Sequence, residues 1–64
     1  MLYSVIITLD GSGKVEFNKV ENFSFHKALG SNFMEVNLTI LEDSMTHSGV
    51  SFHCFPVNIR IVVM

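Results

Sequence analysis

The three histidines and one cysteine of this 64-residue chain, His26, His47, His53 and Cys54, are the side chains that could form a zinc site or a thiol–imidazole pair. A structural zinc site needs donors at spacings such as CxxC or HxxxH, which bring two of them to one side of a turn or helix. No such spacing occurs. His53 and Cys54 are neighbours, and neighbours on a strand point to opposite faces, so they are not expected to share an ion. A thiol nucleophile needs a base and an electropositive setting that lowers its pKa; the residues around Cys54 offer neither. Cys54 instead alternates with Val50 and Phe52, which predicts a small core residue. The run Asp10-Gly11-Ser12-Gly13-Lys14 has the residue types of a phosphate-cradling loop. It lacks the GxxxxGK[ST] spacing, and a strand pattern follows it where a helix is required; it reads as a hairpin turn. No carboxylate pair is spaced for acid–base work. The expectation is therefore no enzyme, no metal and no cofactor.

Length and composition narrow the remaining classes. A chain of this size forms one domain, spanning residues 1–64, and buries only about 60% of its unfolded surface. Such domains are usually reinforced by disulfides, a metal or oligomerisation. A single cysteine excludes an intramolecular disulfide, which leaves self-association as the expected reinforcement and points to a reducing, cytoplasmic setting. An apolar fraction of 48% with six phenylalanines excludes intrinsic disorder. Four basic residues against six acidic ones give a net charge of −2, a poor field for tracking phosphates. The longest apolar stretches fall far short of the roughly 20 residues of a membrane helix. The first residues, MLYSVIITLDG, have no basic region or small-residue cleavage site of a secretory signal. The two glycosylation-like triplets, at Asn22 and Asn37, are then chance matches.

The elements that position these residues read as strands. Residues 2–9 (LYSVIITL) are rich in β-branched types, and the turn formers at 10–13 lead into a returning strand at Lys14. Val15, Phe17, Phe23 and Phe25 share odd parity, which allows one long strand. Lys19 and Glu21 would then lie on its apolar face, so a bulge or bend is expected within 18–22. Residues 27–32 (KALGSN) read as a turn, residues 33–41 (FMEVNLTIL) as a strand with one wet face, and residues 42–49 (EDSMTHSG) as a polar loop. Alternation resumes at 50–54. Pro56 cannot donate to a ladder and marks an edge, bulge or break, followed by a strand starting at Val57 or, after a turn, at Arg60. There is no helical periodicity. The expected fold is all-β: a small antiparallel meander of five or six short strands, closed as an SH3-like barrel or left as a curled sheet.

Residues 55–64 (FPVNIRIVVM) carry the strongest functional signal. Val57, Ile59, Ile61 and Val63 alternate along one face, and Val62 makes the other face half apolar. A strand that is sticky on both faces requires cover. These five residues are the expected self-assembly contact, and the expected partners are a second copy and another protein. A competing surface consists of Phe23 and Phe25 with Lys27 and Arg60, where aromatic rings could stack bases and cations could meet phosphates. The acidic balance makes nucleic acid the weaker partner. A third reading is an oligomer that binds a small molecule or nucleotide between subunits.

The layout resembles small all-β proteins of bacteriophages and bacterial mobile elements. The likeness lies in a first strand and polar hairpin, a VEFNKVENFSF-like segment, an alternating strand such as MEVNLTIL, and a Pro-containing Ile/Val-rich end, FPVNIRIVV. It spans the chain as patterning, with no invariant motif. It implies an oligomer acting by binding proteins, host factors included, and transfers no functional residue.

Overall fold

The computed structural model describes residues 1–11 and 13–64; Ser12, part of the expected hairpin turn, lies outside the described residues. Five strands run in chain order: β1 (Tyr3–Leu9), β2 (Gly13–Lys27), β3 (Met34–Leu41), β4 (His47–Cys54) and β5 (Pro56–Val63). They form one antiparallel sheet ordered β4-β3-β2-β1-β5. The fold is all-β, as the alternation predicts.

The long β2 organises the sheet. Its first half pairs with β1, from Leu9↔Gly13 to Tyr3↔Val20, and its second half pairs with β3, from Val20↔Ile40 to Lys27↔Met34. Between Val5↔Phe17 and Tyr3↔Val20, β2 holds Asn18 and Lys19 where β1 holds only Ser4. Between Val20↔Ile40 and Asn22↔Thr39, Glu21 is extra. The segment 18–22 is therefore bulged, not a turn. The first bulge moves the inward phase from Val15 and Phe17 to Val20, and the second returns it to Phe23 and Phe25. Lys19 and Glu21 thereby leave the apolar face, for the reason their polarity requires. Each bulge bends the strand and deepens its twist.

Lys19 takes φ 56° at the first bulge, left-handed backbone that costs a side-chain-bearing residue about 1–2 kcal/mol. Lys19→Val should lower the urea midpoint, since β-branching is worst tolerated there, and Lys19→Gly should hold or raise it. An equal loss in both variants would show that the side chain matters more than the dihedral.

The bends curl the sheet onto itself. Phe17 on β2 and Phe52 on β4, two strands apart, bring their rings within 5.7 Å. Cys54 ends one edge strand and Pro56 begins the other, so Phe55 alone joins the two edges. No ladder connects β4 to β5, so the sheet is not closed. Of the two expected closures, the curled sheet forms and the barrel does not. The core lies on the inner face, where Val5, Ile7, Val20, Val36 and Leu38 are buried and Phe17, Phe25, Phe52, Val50, Cys54 and Ile59 pack around them. It occupies the three central strands.

Three local details differ from the sequence reading. Phe33 lies before β3, in a turn where Ala28 N–H donates to the Phe33 carbonyl and Phe33 N–H to Ser31 Oγ. β4 begins at His47, inside the expected polar loop, because His47, Ser48 and Gly49 find partners in Leu41, Ile40 and Thr39. Asp43 Oδ1 accepts the N–H groups of Met45 and Thr46 in the shortened loop. Those bonds, the Met45 N–H foremost, hold its carboxyl below the ordinary value. Third, β5 starts at Pro56 itself. Pro56 faces Leu9, and the adjoining backbone bond runs from Asp10 N–H to the Phe55 carbonyl. At the first residue of an edge strand, proline costs the ladder nothing.

Candidate functional site

The β5 edge gathers most of the exposed apolar side chains of the described residues that lie within a strand. β5 pairs with β1 alone, from Thr8↔Asn58 to Tyr3↔Val63. Antiparallel ladders alternate: a residue either exchanges both backbone bonds with its partner or turns both away. Met64 N–H donates to the Leu2 carbonyl, and the constant register carries that pattern to Val62, Arg60 and Asn58. Ile59, Ile61 and Val63 therefore turn their N–H and C=O groups toward the open side. Their side chains lie on the inner face, opposite Ile7, Val5 and Tyr3. Ile59 is half-buried against the core, whereas Ile61 is 39% and Val63 56% exposed. On the outer face Val62 is 38% exposed. Val57 is exposed at the irregularity between Thr8 and Leu9. Four of the five expected contact residues are thus exposed, and Ile59 roots the strand in the core.

The apolar inner surface continues inward from this edge. Val63 faces Tyr3, and the Tyr3 ring meets Phe23 edge-on at 5.4 Å. Phe23 in turn lies 5.8 Å from Phe25. These two phenylalanines, offered by sequence as a base-stacking surface, divide: Phe25 packs against the core and Phe23 is partly exposed beside Tyr3. Of the two cations, Lys27 follows Phe25 by two residues on β2, whereas Arg60 stands on a different strand, β5. Lys27 pairs with Met34 at the far end of β2, and Arg60 pairs with Ile6 on β5.

A second surface, which the sequence reading did not single out, lies at the end of β3 and β4. His26, Glu35 and His53 stand in one cross-strand row on the outer face, with His53 Nε2 3.8 Å from Glu35 Oε2. The Phe33 ring stacks on His53 at 5.0 Å and meets Phe55 at 4.9 Å. With Lys27 and Ala28 they line a shallow depression of about 270 Å³. Parity could have placed His26, Glu35 and His53 on one face; the role of Phe33 and Phe55 depends on turns that parity does not describe. Half of the phenylalanines, Phe23, Phe33 and Phe55, are exposed.

The histidines otherwise make surface contacts. His47 Nδ1 lies 3.3 Å from Glu21 Oε2. Among the described residues no group of three or more His, Cys, Asp or Glu could hold a metal ion. Cys54 packs against the core while His53 points away from it. Burial pushes the Cys54 thiol above its ordinary pKa, the direction that weakens a nucleophile. No helix among the described residues is long and apolar enough to cross a membrane.

These features define a class: a small, open, curled antiparallel sheet with one unprotected apolar edge. Comparison with known proteins finds no matching family model, curated protein or solved structure.

Proposed function

We propose that this chain is a small β module that self-assembles with the open edge of β5 as its docking strand and acts by binding another protein. The observation that carries the reading is the edge itself: outward-facing backbone at Ile59, Ile61 and Val63, with exposed apolar side chains on both faces. Sheet proteins blunt such edges with charges, prolines, bulges or covering segments. Here Pro56 and the irregularity beside it guard only the start of β5, and Arg60 is the strand's single charge. Strand addition to an edge like this supplies main-chain bonds and apolar contacts together. The Phe33–His53–Phe55 cluster is the surface we assign to the partner protein, aromatic rings being enriched at interfaces. A net charge of −2, with Arg60 on a different strand from Phe23, Phe25 and Lys27, supports protein over nucleic acid as the partner. One free, half-buried thiol fits a reducing, cytoplasmic setting.

Sedimentation velocity over a micromolar concentration series tests the self-assembly. The expected result is a species of two or more chains whose fraction rises with concentration. A strictly monomeric boundary throughout would overturn the proposal.

A further inference from the structure

We infer that the occupant of the β5 edge is a second copy of this chain, paired antiparallel about a two-fold axis at Ile61 so that the two five-stranded sheets become one. This rests on the reading of β5 as a docking strand and specifies its partner and register.

The register follows from backbone direction, shape and charge. Residues that bond across a new ladder must be those with outward N–H and C=O groups: Ile59, Ile61 and Val63. An axis at Ile61 pairs Ile61 with its own copy and sets Ile59 opposite the partner's Val63. All three positions on each chain are then used. On the inner face these residues form one apolar band, continuous with the cores that Val5 and Ile7 anchor. On the outer face Arg60 stands opposite the partner's Val62, and Asn58 opposite the partner's Met64.

The neighbouring registers are worse. An axis at Arg60 places the two guanidinium groups directly opposite each other in a close pair, where like charges repel. It also draws Val57, displaced from the β1 ladder by the irregularity at Thr8/Leu9, into the new one. An axis at Val62 places Ile59 opposite a position past the end of the partner's β5, which closes at Val63. β4, the other edge, presents the polar row His47, Gly49, Ser51 and His53 on its outer face and lacks an apolar stripe there. A second copy satisfies β5 because the same apolar residues recur on both strands at matching positions.

Disulfide trapping reads this register. In a Cys54→Ala background, which removes the native thiol, Ile61→Cys places two thiols across a bonded pair with Cα atoms about 5.5 Å apart, inside the disulfide range. Arg60→Cys places them diagonally, about 7–8 Å apart. The expected result under mild oxidation is near-complete cross-linking for Ile61→Cys and at least tenfold less for Arg60→Cys, with circular dichroism confirming that both fold. Should Ile61→Cys misfold, an equimolar mixture of the Ile59→Cys and Val63→Cys chains asks the same question and should give the mixed disulfide. Stronger trapping at position 60 overturns the Ile61 register while self-assembly through β5 stands. Dimers by sedimentation with no trapping at any of these positions overturn β5 pairing and leave self-assembly intact. A monomer at every concentration overturns both.

Discussion

Ile7→Ala is expected to bring the chain to the margin of unfolding at 25 °C. Ile7 is fully buried on β1, the strand between β2 and β5, and belongs to a core of five buried residues among those described. Removing three carbons from such a site costs about 2–5 kcal/mol. A core in a domain this small rarely supplies more than about 3–5 kcal/mol in total. The two figures are of one size, so a single cavity consumes most of the stability. Among the described residues no second layer covers the sheet, so few neighbours are at hand to fill the gap. Urea titration followed by circular dichroism should show a pretransition baseline that is short or missing. Leu29→Ser is the control: Leu29 is fully exposed in the β2–β3 turn, and its change should stay within about 0.5 kcal/mol. A normal midpoint for Ile7→Ala would mean that the buried inner face does not hold this fold together.

Ile61→Asp should abolish self-association while His53→Ala leaves it untouched. Ile61 lies on the inner face of the open edge, and an inward-pointing charge there is a device sheet proteins use to block edge pairing. With the axis at Ile61 the effect doubles, because two carboxylates meet across the two-fold. The same geometry gives a sharper outcome. Ile61→Lys alone should also be monomeric, and an equimolar mixture of the Asp and Lys variants should recover the dimer. His53→Ala loses the Phe33 stack and a 3.8 Å contact between half-exposed groups, together worth about 1 kcal/mol or less. Because a dimer that forms only from folded chains adds stability by mass action, the urea midpoint of the native chain should rise with concentration and that of Ile61→Asp should not. Persistence of assembly in Ile61→Asp would remove β5 from the contact.

The bulged strand shows how far parity alone reaches. Lys19 and Glu21 at odd positions between Phe17 and Phe23 demand a departure from plain pairing, and β2 supplies it with two bulges around Val20. That two shifts are used, one against each neighbouring strand, depends on β1 and β3 pairing with different halves of β2. No local pattern encodes that division. The start of β4 is a similar case: His47, Ser48 and Gly49 read as loop because they are polar, yet β3 offers them a ladder, and backbone bonds do not depend on side-chain polarity.

By itself the sequence determined that the chain is all-β and antiparallel. Period-two alternation, turn formers between the runs and the absence of helical periodicity leave no other regular structure. It also determined that the last strand is apolar on both faces, and that His53 and Cys54 part to opposite sides. Only the tertiary structure decided that the sheet stays open, that β5 is an edge rather than a central strand, and that Phe33 and Phe55 converge beside His53. The physical reason is that alternation fixes which side chains share a face, whereas strand order and curl follow from which edges pair and where the bulges bend them. Those are long-range choices. An apolar strand in the middle of a sheet is core, and the same strand at its margin is a surface for a second chain.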